Sequence, residues 1–388
     1  MQKKYVVRGV STYNKGAELM LYAILQQIEE RHPDAIVYLD RAAIPEGLGY
    51  IKTRLTLKSI KPYLLCRLQA AIDRFRLESL FRKLRLWTPL FFRKASNVEI
   101  VFDASGLKFS DLMYSVHSEK NWRDDLNLYT GYKDKGARVI LLPQQFGPFE
   151  RDETRNFIKE LVGTTDLVFA REQKSFDYLK SICDNSNIYK FTDFTSLVDG
   201  VVPEQYRYLA GQICIIPNLQ MVNKKMISRN EYSYLLAKFI NKVSQSGKSA
   251  YLLNHEGIGD KELCYSVQEK ANERVDVVSG LNALEIKGLI STSYLCISSR
   301  YHGVASALNS ATPCLATSWS HKYDELFKDF GQSDCVLDIK DETVALKKIE
   351  AFLEPSFNQK IREELKTTKE QIVSENKKMW GMIWGLGY

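Results

Sequence analysis

The chain has 388 residues, of which 45% are apolar and 26% charged. At roughly 100–200 residues per domain this length predicts two domains, and the apolar–charged balance excludes wholesale disorder. No apolar run approaches the roughly 18–20 residues that cross a bilayer, which argues against a helical membrane protein. The opening MQKKYVVRGV enters a strand pattern at once, so no secretory signal is expected. Seven widely spaced cysteines without a C-x-x-C pair, several inside apolar runs such as ICII and YLCIS, predict a reducing, cytoplasmic setting.

The net charge of +7 is concentrated in one place. Between Lys52 and Lys94 stand twelve basic residues and two acids, Asp73 and Glu78, which leaves the rest of the chain at −3.

In chain order, KYVVRGV reads as a strand, STYNKG as a loop, and AELMLYAILQQIEERH as an amphipathic helix followed by the strand AIVYL. Beyond the basic segment come the strand VEIVFDAS, a helix in WRDDLNLYTGYKDKG, the strand RVILLPQ, a helix near 152–163 and the strand DLVFAR. The stretch 184–212 loses periodicity and reads as a linker. A second alternating unit starts at ICIIPN and continues with helices and strands through SAYLLN, VDVVSG, SYLCISS and PCLATS to a helical region near 341–380 broken at Pro355. The fold class is therefore α/β, with two doubly wound Rossmann-like domains facing a cleft and a basic helical insertion at about 52–94 in the first. The domains are expected at 1–202 and 203–388, with terminal helices able to pack back on the first. Ligands of such sheets lie beyond the carboxyl ends of the strands.

The chemistry concentrates in loops after strands. The strand YLCIS delivers Ser299, Arg300, Tyr301, His302 and Gly303 to the start of a small-residue helix. Amides at such a start attract anions, Arg offers a planar fork for carboxylate or phosphate, and His transfers protons near neutrality. The alternative is a structural salt bridge at Arg300 and a helix cap at His302. Lys322 could reach the same anion or be a solvated lysine. Arg171, at the end of another strand, either holds an anion or pairs with Glu172. Gln144 and Gln145 either bind sugar hydroxyls or satisfy a turn fixed by Gly147 and Pro148. Asp103 follows a strand and suits hydroxyl binding, whereas Asp111 reads as a cap. His255 is a second proton-transfer candidate or a loop histidine, with Glu256 beside it. Gly9, Asn14 and Gly16 form a glycine loop that is not G-x-G-x-x-G, so it predicts close ligand approach without a dinucleotide. The histidines include no H-x-x-x-H pair and no cysteines stand at zinc spacing, so no metal is expected.

ISSRYHGVASALNSATP with the downstream Lys322, LLPQQFGPF, DLVFAREQKS and GVSTYNKGAE resemble, in the same order, the landmarks of the polysaccharide pyruvyl transferase family. The similarity runs from about residue 5 to 335 and skips 50–95. Two departures are Ala17–Glu18, where the family often has Asp after N-x-G, and DASG in place of a run of glycines. The resemblance implies the two-domain, type-B glycosyltransferase architecture and a capsule- or exopolysaccharide-directed enzyme. It would move the pyruvyl group of phosphoenolpyruvate onto two hydroxyls of one sugar, with no cofactor. On this reading Arg300 and His302 are the catalytic residues, Arg171, Arg300, His302, Gly303 and Lys322 bind the donor, and His302 transfers the proton. The acceptor lies near Asn14, Asp103, Gln144, Gln145, His255 and Glu256.

The basic segment carries apolar stripes (Leu64, Leu68, Ile72 and Phe75; Leu77, Leu80, Phe81 and Leu84) that suit peripheral contact with an anionic cytoplasmic leaflet bearing lipid-linked sugars. The alternative is a helical pair packed on its own domain. A sugar-nucleotide-dependent glycosyltransferase of the same architecture is the rival enzyme. A nucleic-acid binder is disfavoured, because the charge is confined to one segment without a known module.

Overall fold

The computed structural model describes residues 2–40, 43–60, 95–113, 119–317 and 322–385. It divides into two compact units: Met1–Tyr13 with Met20–Phe191, and Asn14–Leu19 with Thr192–Tyr388. The division at 191/192 precedes the 202/203 junction expected from sequence. The C-terminal helix belongs to the second unit.

In the first unit, strands β1 (Lys4–Arg8), β2 (Ile36–Leu39), β3 (Thr56–Ser59), β4 (Ile100–Asp103), β5 (Arg138–Gln144), β6 (Leu167–Ala170) and β7 (Ile188–Lys190) form a parallel sheet in the order β3-β2-β1-β4-β5-β6-β7. The central strands are mostly apolar because both faces are covered: IVFD of β4 and LVFA of β6 are buried at every position. Helices α1 (Lys15–Arg31), α2 (Glu119–Lys133), α3 (Asp152–Thr164) and α4 (Gln173–Lys180) supply the connections. Trp122 of α2 stacks on Phe157 of α3 with ring centroids 5.1 Å apart. Asp111 accepts from the Glu150 and Arg151 amides and from Thr154 Oγ1, which satisfies donors at the start of α3.

Two elements correct the sequence reading. Thr56–Ser59, inside the range assigned to a helical insertion, is the edge strand β3, alternately exposed and half-buried as an edge requires. Its basic Lys58 suits an exposed edge better than an amphipathic helix face. The remainder of that insertion, 61–94, lies outside the described residues. The supposed linker 184–212 holds β7, three residues paired to β6, followed by two 3-10 turns, Phe194–Leu197 and Glu204–Leu209. A three-residue strand is too short to display a period.

In the second unit, β8 (Ile213–Ile216), β9 (Ala250–Leu253), β10 (Asp276–Val278), β11 (Leu295–Ser298), β12 (Cys314–Thr317) and β13 (Val336–Leu337) form a second parallel sheet in the order β10-β9-β8-β11-β12-β13. Its helices are α5 (Gln220–Asn223), α6 (Arg229–Gln245), α7 (Gly257–Gln268), α8 (Ala283–Ser291), α9 (Tyr301–Asn309), α10 (Lys322–Asp329), α11 (Glu342–Leu353) and α12 (Pro355–Trp384). Full capping boxes open α6 (Ser228 with Glu231) and α8 (Asn282 with Glu285). Pro355 does not kink a helix but begins one, at the position where its missing N–H costs nothing.

Strand order reverses at β1/β4 in the first sheet and at β8/β11 in the second. Those switch points open the crevices where doubly wound sheets hold ligands. Among the described residues, six cysteines are free and buried, and no helix is long and apolar enough to cross a membrane.

Candidate active site

At the switch point of the second sheet, β11 ends at Ser298 and α9 begins at Tyr301, so Arg300 stands in the cap position with extended backbone. The peptide before it is anchored: Asn218 Nδ2 and Tyr323 Oη both donate to the Ser299 carbonyl, at 2.7 and 2.8 Å. The Ser299 hydroxyl joins a buried chain with Tyr232 and Thr317. Ser298 Oγ accepts from the Arg300 amide at 3.1 Å. The junction is thus rigid before any side chain acts. It leaves the first-turn amides of α9 without intrahelical acceptors.

The Arg300 guanidinium pairs with two carboxylates. Nε and Nη2 donate to Asp260 Oδ2 at 2.8 and 2.5 Å, and Nη1 donates to Glu256 Oε2. Asp260 is itself held by the Leu219 amide at 2.9 Å. The ion-pair alternative for Arg300 is therefore what this structure contains. Burial raises the Glu256 and Asp260 carboxyls above their usual ranges, and Arg300 opposes that rise.

Asn14, Lys15 and Gly16 come to the same place from the start of α1. Asn14 Oδ1 accepts from the Ala17 amide at 3.0 Å, and its Nδ2 lies 3.4 Å from Glu256 Oε2. Lys15 pairs with the fully buried Glu18 at 2.6 Å, which accounts for the acid beside Ala17. Gly16 rests on the His302 ring: a Cβ there would fall inside the imidazole, nearest Nδ1. His302 Nε2 points the other way, 4.0 Å from Asp193 Oδ2.

His255, at the end of β9, is 4% exposed, and its Nδ1 has no hydrogen-bond partner among the described residues. Burial first, and then the Arg300, His302 and Lys15 charges, push its proton affinity well below the ordinary histidine range. The ring is neutral near pH 7. Gly303 is buried in α9, with Ser298 Oγ where a Cβ would stand. Lys322 is the first residue of α10, and its side chain lies outside the described residues.

The remaining candidates belong to the first unit. Asp103 ends β4 and is 1% exposed: Oδ1 accepts from the Ser105 amide at 3.0 Å and Oδ2 from Tyr129 Oη at 2.5 Å. Gln144 Nε2 lies 3.4 Å from Asp103 Oδ1, and its Oε1 is buried with no partner among the described residues. Asp103 is thereby committed to internal bonds instead of facing solvent to bind hydroxyls. Gln145 anchors its loop through its amide to Gly106 O at 2.8 Å. Arg171, 6% exposed, has Nε 3.7 Å from Glu172, the acid anticipated as its partner. Gly9 adopts a φ of +74°, and Ser105 occupies the space of its absent side chain, so glycine is required there.

Sequence reasoning missed Asp193, Asn218 and Tyr323. Asn218 stands two residues after β8 and was open to the search of strand ends. Asp193 sits in an aperiodic stretch that offers no local cue.

The fold has many relatives of distant sequence. S. aureus MnaA in co-structure with UDP is 12% identical with a TM-score of 0.56, covering 100% of this chain and 98% of that one. A UDP-GlcNAc 2-epimerase from Methanocaldococcus jannaschii is 11% identical with a TM-score of 0.53, covering 91% and 93%. A UDP-glucose: anthocyanidin 3-O-glucosyltransferase in complex with UDP is 8% identical with a TM-score of 0.55, covering 100% and 99%. These establish the fold as that of type-B glycosyltransferases and related epimerases. The family model for polysaccharide pyruvyl transferase matches residues 14–321, a span that opens at the Asn14 turn and encloses Arg300 and His302. The chain belongs to the polysaccharide pyruvyl transferase family.

Proposed function

We propose that the protein transfers the pyruvyl group of phosphoenolpyruvate onto two hydroxyls of one sugar in a surface or capsular polysaccharide precursor, forming a cyclic ketal and releasing phosphate. The observation that carries this reading is the Arg300–Tyr301–His302–Gly303 junction, where a helix start, a guanidinium and an imidazole converge within the family's matched span. The donor carries a carboxylate and a phosphate, which suit first-turn amides and a planar cation.

Chemically, C3 of the donor gains a proton, which makes C2 electrophilic. The first sugar oxygen bonds to C2 and loses its proton. The second sugar oxygen then displaces phosphate from C2, its proton leaving on the phosphate. His302 gives the first proton and receives the second. The reaction as written balances without a cofactor. Arg300 faces the donor by giving up Glu256, a half-buried acid that takes a proton more readily than a surface glutamate. Arg171 and Lys322 are further donor contacts on this reading. Asn14, Gln145, His255 and Glu256 are left nearer the acceptor, with Asp103 and Gln144 acting through the loops that they hold. The working place is the cytoplasm, and the basic segment 52–94 suits peripheral contact with a membrane that carries lipid-linked sugars.

The test is phosphate release from phosphoenolpyruvate with a panel of galactosides, mannosides and N-acetylhexosaminides, with Arg300→Ala and His302→Ala as controls. Acceptor-dependent release lost in both variants is expected. Full turnover in His302→Ala would remove its proton-transfer role. Stabilisation by nucleotide sugars, without phosphate release or donor binding, would replace the reading with sugar-nucleotide transfer.

A further inference from the structure

We propose that Asp193 is a positioning residue for His302, holding the imidazole with its proton on Nε2 so that Nδ1 is the atom that exchanges protons with substrate. The inference rests on the reading of His302 as the proton-transfer group.

The Asp193 carboxylate divides its two oxygens. Oδ1 accepts from the Thr195 amide and hydroxyl, at 2.9 and 2.5 Å, which fixes the side chain at the mouth of the 194–197 turn. Oδ2 faces His302 Nε2 at 4.0 Å, an electrostatic contact longer than a hydrogen bond. Asp193 is 5% exposed, and its main-chain carbonyl accepts from Asn376 Nδ2 of α12 at 3.0 Å. Asn376 also donates to Ser196 Oγ at 2.7 Å, and the buried Lys287 amine donates to Thr195 O at 2.8 Å. Side chains from α8 and α12 therefore fasten this turn, and its one carboxylate points at the imidazole.

One face of the ring is covered by backbone, because a Cβ on Gly16 would stand within 2.4 Å of Nδ1, Cγ and Cε1 at once. The carboxylate favours the tautomer with the proton on Nε2, and the glycine restricts the plane of the ring. Among the described residues, the neighbouring charges do not duplicate this. Lys15 and Arg300 are cationic and offer no acceptor to a ring N–H. Glu18 is committed to Lys15, Glu256 to Arg300, and His255 is neutral. Lys287 lies on the far side of the turn, where its charge acts on Asp193.

The experiment is nitrogen-15 NMR of the histidine rings in the full chain, with His302 assigned through His302→Gln. Wild type is compared with Asp193→Asn, Asp193→Ser and Asp193→Glu. Serine keeps a hydroxyl acceptor for the Thr195 amide without the charge, so it separates a lost cap from a lost carboxylate. In the Asn and Ser variants the His302 midpoint is expected to move to lower pH by roughly one unit, with the neutral ring no longer held as the Nε2–H tautomer. Turnover should fall about tenfold or more while the KM for phosphoenolpyruvate stays within about twofold. Glu should recover part of both. An unchanged midpoint and tautomer in folded Asn and Ser variants would overturn the proposal. Wild-type turnover in His302→Ala would overturn the proton-transfer reading alone, since the NMR still reports whether the pair exists.

Discussion

Gly16 and His302 meet so closely that the glycine α-carbon lies against the imidazole, leaving no room for a methyl group between them. Gly16 stands in the first turn of α1, where alanine would raise helix propensity by about 0.5–1 kcal/mol. Gly16→Ala gains that amount and meets overpacking of about 1–3 kcal/mol, so a net loss of about 1–2 kcal/mol is expected in denaturant melts. Because the ring is what yields, turnover should fall about tenfold or more in a phosphate-release assay.

Arg300 neutralises two carboxylates that burial holds above their usual range. A carboxyl whose folded value exceeds its unfolded value takes up protons on folding, so its contribution to stability declines as pH climbs from the ordinary carboxylate range through the folded value. Arg300→Gln pushes both folded values higher. The variant should lose about 2–4 kcal/mol at neutral pH and regain part of it at a lower pH, as Glu256 and Asp260 take up protons. Urea melts at the two pH values check this. Adding Asp260→Asn should restore part of the loss at neutral pH.

Lys287 is 2% exposed, and burial brings its amine down to about 8 from 10.5. The unfolded chain binds the proton more tightly, so this group's contribution to stability increases as pH rises from about 8 to 10.5. Lys287→Met removes that increase. The stability difference between wild type and variant should shift toward wild type across the window, by on the order of 3 kcal/mol.

Tyr129 donates to Asp103 from a fully buried position. Tyr129→Phe strands a carboxylate oxygen and should cost about 1–3 kcal/mol, lowering the melting temperature. Asp103→Asn in the same background should offset part of this by removing the buried charge. A melt of the double variant no better than that of the single would place the cost elsewhere.

The alternation of strands and helices was legible because long buried strands such as ICII and LCIS cannot be mistaken for surface, and Gly, Asn and Ser punctuate them. The edge strands were not. β3 exposes alternate residues on a four-residue run, β7 has three residues and β13 two, so none displays a period. The Arg300–His302 junction was visible because a strand, its catalytic-type residues and a helix start are contiguous in sequence. The partners of that junction come from afar: Asp193 from an aperiodic stretch, Gly16 from the opening loop, Asp260 from inside α7. Local pattern records which residue types a place can hold, and not which distant carboxylate will face them.

The segment Asn14–Leu19 belongs to the second unit although the chain on either side of it belongs to the first. The polypeptide therefore passes between the units at 13/14, 19/20 and 191/192. A single cut at 191/192 would separate the whole second sheet from the residue that covers His302. This architecture resists modular exchange: grafting a foreign second half onto this first half would bring together a Gly16 and an imidazole never selected to fit. Recombination within such a lineage has to carry the six residues after Tyr13 along with the distant half that they serve.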